Sequence, residues 1–395
     1  MQTNRAPRYV FYPRVIFGGT TTITQSSGNN WMAKQLAGAT MSIKLNTTQM
    51  MALYGRQNGS STYIPYGLIY TCTATSTPVA NTTYTMTDAY DTTVTGAVAV
   101  ATNKVFWIWK NASGVQAKVL NTSGVTITQG TTYTFASLSS PIEDKYFCVP
   151  LSATRVLVFW QDSSYVIKCQ LFNIATNVIT LVGSETSVIS HYTYASSKMR
   201  ILLSWDGRVS VFAGPYQAFV SVSGDVTTVS ATNSPDPVGY FGTSYLYDVH
   251  QVDIDKFMVF FDISGVTYYS LFRFVGDVMK MYWTGTWATP ATWVSIVQFV
   301  YNFSVNRAPL ISSWATGKCF AVGTNTGYGN TVLSYGFDYQ APKNYYGPGS
   351  IDFSYSGQSD SQDCIKIHPM STAFAMVESY GTTYSRYNIT PVRSQ

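Results

Sequence analysis

A chain of 395 residues that is 46% hydrophobic and 15% aromatic has ample material for a core, and a charged fraction of only 11% excludes a disordered, strongly solvated polymer. Thirty Tyr against three Glu (Glu143, Glu185 and Glu378), in a background rich in Ser, Thr, Gly and Val, point to strands rather than helices. The net charge of +5 is uneven: residues 1–87 hold Arg5, Arg8, Arg14, Lys34, Lys44 and Arg56 and no acid, yet these cations form no run.

The opening MQTNRAPRYVFYPRV has no signal-peptide apolar core, and no run of 18 apolar residues follows, so neither secretion nor a membrane span is expected. No basic cluster interleaves with aromatics, so nucleic acid is not an expected partner. The five cysteines (Cys72, Cys148, Cys169, Cys319 and Cys364) form no CxxC pair and mostly lie in apolar stretches, as buried free thiols do.

In chain order, a polar step followed by four or five apolar residues recurs. Gln49 precedes MMALY, Lys104 VFWIW, Arg155 VLVFW, Lys198 MRILLSW, Lys256 FMVFF, Pro309 LISSW and Thr372 AFAMV. Such runs are too short for ordinary helices and carry strand chemistry. In Val100–Trp109, the clearest copy, Phe106 and Ile108 should face one side and Val105, Trp107 and Trp109 the other. After several anchors come two further strand-like runs, parted by turns such as NASG, NTSG, DISG and VGD. A shorter run precedes the anchor, AVAV before Lys104 and YFCVPL before Arg155.

Four strands over 45–55 residues make one propeller blade. The expected fold is therefore all-β, a single β-propeller domain over residues 1–395. Seven antiparallel four-stranded blades fit the count best, with six or eight as the alternatives. The last unit is one strand short, and Val15–Thr24, which echoes KVLNTSGVTITQ, is the expected closing strand. Tyr- and Gly-rich insertions are expected near 56–67, 81–95, 231–247, 283–294 and 323–362. Loops on a rigid scaffold are where recognition usually sits. Tyr63, Tyr66, Tyr240, Tyr245, Tyr328, Tyr345 and Tyr346, which join apolar area to a polar tip, are the candidate binding residues.

Chemistry is sparse. His191, His250 and His368 are scattered, and neither Asp248 and Asp253 about His250 nor Cys364 before His368 completes a metal-ligand spacing. Asp360 and Asp363 do not follow the EF-hand order. The Gly323–Asn330 stretch lacks the Lys and helix of a phosphate loop. No nucleophile or zinc motif occurs, and Ser204-Trp205-Asp206-Gly207 departs from the aspartate box of propeller sialidases. No catalytic residue, metal or cofactor is expected.

The unit texture, VQAKVLNTSGVTITQGT and VFAGPYQAFVSVSGDVTTVS, resembles repeats of tail-associated β-propeller proteins of tailed bacteriophages over about residues 95–285. That resemblance implies a non-enzymatic virion protein of the receptor-binding or tail-tip and nozzle type. It implies other tail proteins and a host-surface glycan or protein receptor as partners, and a place in a larger assembly. Such a protein is made in the host cytoplasm and released by lysis. The alternatives are a propeller lectin, which predicts one pocket repeated in every blade, and a propeller glycosidase, which predicts carboxylates converging near the axis.

Overall fold

The structure, a computed structural model, describes residues 15–16, 32–33, 41–57, 63–71, 79–86, 95–139, 141, 146–190, 199–204, 206–213, 216–232, 245–253, 256–263, 266–286, 310–315, 318–325, 331–338, 349–352, 365–369, 374–380, 384–391 and 393–394. Two short strands come first, β1 (Val15–Ile16) and β2 (Met32–Ala33). The first sheet holds β3 (Met41–Lys44), β4 (Gln49–Gln57), β5 (Tyr63–Thr71) and β6 (Val79–Thr85). The second holds β7 (Thr95–Ala101), β8 (Lys104–Asn111), β9 (Gly114–Ser123) and β10 (Thr126–Gln129), with β11 (Tyr133–Phe135) also on β9. The third holds β12 (Phe147–Ser152), β13 (Arg155–Gln161), β14 (Val166–Ala175) and β15 (Val178–Ser190).

The fourth sheet holds β16 (Met199–Leu203), β17 (Val209–Ala213), β18 (Tyr216–Ser223) and β19 (Val226–Val229). The fifth holds β20 (Tyr245–Asp253), β21 (Lys256–Ile263), β22 (Val266–Val275) and β23 (Val278–Thr286). The sixth holds β24 (Leu310–Ala315), β25 (Lys318–Asn325), β26 (Thr331–Asp338) and β27 (Gly349–Asp352). In the seventh, β28 (Ile365–Pro369), β29 (Phe374–Tyr380) and β30 (Tyr384–Pro391) are joined by β2, while β31 (Arg393–Ser394) pairs with β1. Among the described residues the strand pairings are antiparallel, and apart from β1, β2, β11 and β31 the strands of each sheet follow one another in sequence. The all-β expectation and its four-stranded units are observed.

Packing between sheets explains the apolar runs. Val105, Trp107 and Trp109 of β8 pack with Met51, Leu53 and Ile69 of the first sheet, while Phe106 and Ile108 meet Val156, Val158 and Trp160 of the third. Both faces are covered, so an alternating pattern is absent, as in any strand buried on two sides. The same division continues: Leu157 and Phe159 pack with Val209, Val211 and Ala213, and Phe212 meets Phe257 and Val259. Aromatic pairs reinforce these layers, with Trp107 stacked on Trp109 at 4.3 Å and Phe106 tilted against Phe172 at 5.4 Å. The fourth strands have one solvated face, and β10 and β15 begin with exposed and buried residues in alternation.

First strands touch in succession: β3 meets β7, β7 meets β12, β12 meets β16, β16 meets β20, β20 meets β24 and β24 meets β28. The sheets therefore radiate from a row of first strands.

Three expectations are corrected. The strand that completes the seventh sheet is β2, with Met32 opposite Ser385 and Ala33 opposite Tyr384; of Val15–Thr24 only Val15 and Ile16 are described, and they pair with Ser394 and Arg393 outside that sheet. In two units the polar step and its apolar run mark the first strand of the sheet and not the second. MRILLSW and LISSW contain β16 and β24, which are first strands; the second strands are β17 and β25, introduced by Arg208 and Lys318. Parts of the expected insertions are strand: Arg56 and Gln57 end β4, Tyr63–Gly67 open β5, 81–85 close β6, Tyr245–Tyr247 open β20, Trp283–Thr286 close β23, and Gly323–Asn325 belong to β25. Within 323–362, β26 and β27 supply two further strands.

Candidate functional site

A four-stranded meander has two kinds of end. Turns between first and second strands, and between third and fourth, lie at one end; second-to-third connections and the links to the next sheet lie at the other. At the first, here the hairpin end, two-residue turns join the third and fourth strands of the second to fifth sheets, at 124–125, 176–177, 224–225 and 276–277. Gly124, Gly224 and Gly276 have φ of 58°, 56° and 62°, which only glycine adopts without cost. In the third sheet Thr176 and Asn177 take these positions with φ of 49° and 77°. At the second, here the long end, the chain between sheets spans 86–94, 136–146, 191–198, 230–244, 287–309 and 353–364.

The hairpin end carries a repeated clasp that sequence reasoning missed. In the first, third and fourth sheets a residue at or just before the start of the second strand reaches the third-to-fourth turn of the following sheet. The Gln49 side-chain amide donates to the Gly124 carbonyl at 3.0 Å. Arg155 donates to the Gly224 carbonyl and to the Asp225 carboxylate. Arg208 pairs with Asp277 at 2.5 Å and with its own neighbour Asp206 at 2.7 Å, and its guanidinium lies 3.9 Å from the Phe219 ring centre. The polar steps at Gln49 and Arg155 are thus hooks of one sheet on the next, and in the fourth sheet Arg208 takes that role. Exposed Val178, Val226, Val275 and Val278 tip the same turns.

Of the candidate tyrosines, Tyr63 and Tyr66 lie in β5 and Tyr245 opens β20; Tyr240, Tyr328, Tyr345 and Tyr346 lie outside the described residues. Tyr66 is half-buried, opposite Tyr54 and Thr85 in register. Its neighbour Gly67 faces the second sheet so closely that a Cβ there would stand 2.8 Å from Ile127 Cδ1, which directs Tyr66 to the opposite face. Tyr63 opens β5 and Tyr245 opens β20, both at the long end, and Tyr240 belongs in sequence to the link between β19 and β20. Tyr328 falls between β25 and β26, a connection of the same kind, whereas Tyr345 and Tyr346 fall between β26 and β27, a connection of the hairpin kind. The seven tyrosines therefore do not form one group by topology.

His250 and His368 occupy β20 and β28, first strands parted by the sixth sheet; His191, Asp360 and Asp363 lie outside the described residues. Among the described residues no three His, Cys, Asp or Glu side chains gather as around a metal. Cys148 and Cys169 are free thiols. Burial pushes Cys169 up to about 12 and raises Cys148 as well. Neither is therefore a nucleophile near neutrality. Burial, and then the neighbouring Cys148 and Glu185, raise the Tyr146 hydroxyl.

No family model and no curated protein matches the sequence. Solved structures do resemble the fold. A putative 6-phosphogluconolactonase from Bacteroides uniformis superposes with a TM-score of 0.52 at 12% identity, over 88% of this chain and 98% of that one. A second putative 6-phosphogluconolactonase, from Bacteroides fragilis, gives 0.51 at 9% identity over 87% and 96%. A protein from Lactobacillus plantarum gives 0.50 at 11% identity over 78% and 85%. At such identity the likeness is one of fold and carries no activity across.

Proposed function

We propose that the seven sheets are the blades of one closed propeller, and that this propeller is a non-enzymatic structural protein of a phage tail engaged in host attachment. The succession of first-strand contacts from β3 to β28 supports the ring, as does a seventh sheet built from both ends of the chain. A ring of this kind removes the exposed sheet edges that would otherwise invite aggregation.

The contrast between the two ends carries the functional reading. In the second to fifth sheets the hairpin end has short, repeated third-to-fourth turns, and clasps from Gln49, Arg155 and Arg208 hold neighbouring blades together there. The long end has connections of unequal length and sequence, so it can present one specific surface. Tyr63, Tyr240, Tyr245 and Tyr328 are the residues assigned to contact a host-surface glycan or protein. Other tail proteins are its partners within the particle. A lectin with one pocket per blade fits less well, because the connections between sheets differ in length from one sheet to the next.

Two measurements test this. The protein should copurify with tailed particles at a fixed copy number, and its absence from them would remove the virion assignment. Joint replacement of Tyr63, Tyr240, Tyr245 and Tyr328 by alanine should abolish binding to bacterial cells that the wild-type protein decorates. Unchanged binding by a folded variant would remove the assignment of recognition to the long end.

A further inference from the structure

The run of clasps at the hairpin end has one gap. Gln49 joins the first sheet to the second, Arg155 the third to the fourth, and Arg208 the fourth to the fifth. At the junction of the second and third sheets Lys104 opens β8, in the place that Arg155 holds in β13. It shares the face of Phe106 and Ile108, which is turned to the third sheet. The turn it would reach is Thr176-Asn177, where the fourth and fifth sheets have Gly224-Asp225 and Gly276-Asp277. Asn177 carries no charge, so the third sheet offers no acid at that turn. The third sheet is described throughout from Tyr146 to Ser190, and the half-buried Lys104 side chain makes no hydrogen bond or ion pair.

The acid that Lys104 lacks stands one junction further on. Asp225 gives Arg155 only its Oδ1 oxygen, and its side chain is 72% exposed. Between the two junctions lies the tip of the third sheet, with Val178 exposed, and Val226 is exposed beside Asp225. Apart from Tyr165, the exposed large apolar side chains among the described residues lie at the hairpin end of the third to fifth sheets. Apolar side chains gathered on neighbouring tips mark a surface of protein contact.

The order cation, apolar tip, acid is self-complementary. A twofold axis through the tip of the third sheet, lying in the plane of a face-to-face contact, exchanges the junctions on its two sides. It carries Lys104 of one copy to Asp225 of the other, and the reverse, and sets Val178 against its own counterpart. One junction further out, the uncharged Gln49 clasp meets the Arg208–Asp277 pair, so no like charges are opposed. We propose that the hairpin end of the second to fourth sheets docks a second copy of this chain, with Lys104 of each copy completing its clasp on Asp225 of the other. The two long ends then face outward on opposite sides of the dimer. The proposal does not rest on the tyrosines of the long end.

The test is sedimentation velocity of the full chain across a dilution series, at low and high salt. The wild type should pass from monomer to dimer with concentration, and less readily in high salt. Lys104→Glu and Asp225→Lys should each weaken the dimer about tenfold or more, because each sets like charges across the axis twice. Mixed in equal amounts, the two variants should dimerise about as well as the wild type, since each supplies the charge that the other needs. Lys104→Glu should keep the melting temperature of the wild-type monomer, as Lys104 holds nothing within its own copy. If Asp225→Lys fails to fold for want of the Arg155 clasp, Val178→Asp, which brings two carboxylates together at the axis, should be monomeric where the wild type is dimeric. A wild type that stays monomeric throughout, even one retained by isolated tail particles, overturns the proposal. So does a Lys104→Glu variant or a folded Val178→Asp variant that dimerises like the wild type, or a mixture of two folded charge variants that stays monomeric. The tyrosine variants should dimerise normally, so failure here and failure of the attachment reading are told apart.

Discussion

The hairpin end and the long end are built from the same strands yet have opposite sequence economies. At the hairpin end two-residue turns repeat, and Gln49, Arg155 and Arg208 each hook the sheet that follows. At the long end no two of the inter-sheet connections are alike, and aromatic and polar residues accumulate without a repeat. Repetition marks what several sheets share, namely holding the neighbour that follows. Departure from it, in the long connections, marks what only one sheet does.

The largest expected effect belongs to neither end. Trp107→Ala empties a fully buried position between the first and second sheets, and should cost about 3–5 kcal/mol by chemical denaturation. It should weaken both ends together, as loss of shared scaffold requires.

A second global effect follows from the thiols. Cys169 is raised in the folded state from 9.0 to about 12, so its neutral form is favoured by folding. That contribution is fully present below pH 9 and is lost as pH rises toward about 12. Melting temperature should fall over this window, and Cys169→Ser should flatten that part of the profile. At pH 8 the folded protein should leave this thiol unmodified by a maleimide.

At the hairpin end the effects are smaller. Arg208→Ala removes an ion pair whose side chains are 25% and 63% exposed, together with contact to the Phe219 ring, and should cost about 1 kcal/mol. Part of that cost should vanish in high salt. Thr176→Asn should raise stability by a few tenths to about 1 kcal/mol, since a β-branched residue holds φ of 49° there. The long end should give the smallest change. Alanine at Tyr63, Tyr240, Tyr245 and Tyr328 should shift stability by less than about 0.5 kcal/mol each while removing cell binding.

Much of the framework was legible in the sequence because apolar second strands and Gly- or Asn-bearing turns recur at blade spacing. The division of Phe106 and Ile108 from Val105, Trp107 and Trp109 follows from strand periodicity, and it is what the packing displays. The misplaced anchor in the fourth unit has a physical cause. VSVFA looks less apolar than MRILL because of Ser210, yet that hydroxyl is buried against Ser204 at 2.7 Å and is satisfied there. The closing strand was hidden because β2 is two residues long, too short for any periodic pattern. The clasps were hidden for another reason: Arg155 and Asp225, or Arg208 and Asp277, are far apart in sequence and meet only across neighbouring sheets. Of the candidate tyrosines, the sequence could show their abundance but not that Tyr345 and Tyr346 belong to a different kind of connection from Tyr63, Tyr240, Tyr245 and Tyr328.

The division of labour between the ends is tested most directly by cell binding of two folded variants measured side by side. One carries Tyr63, Tyr240, Tyr245 and Tyr328 replaced by alanine; the other carries Arg155→Ala and Arg208→Ala. The first should melt with the wild type and fail to decorate cells, and the second should melt lower and still decorate them. Retained binding by the tyrosine variant, or binding lost by the arginine variant below its melting temperature, would contradict the account.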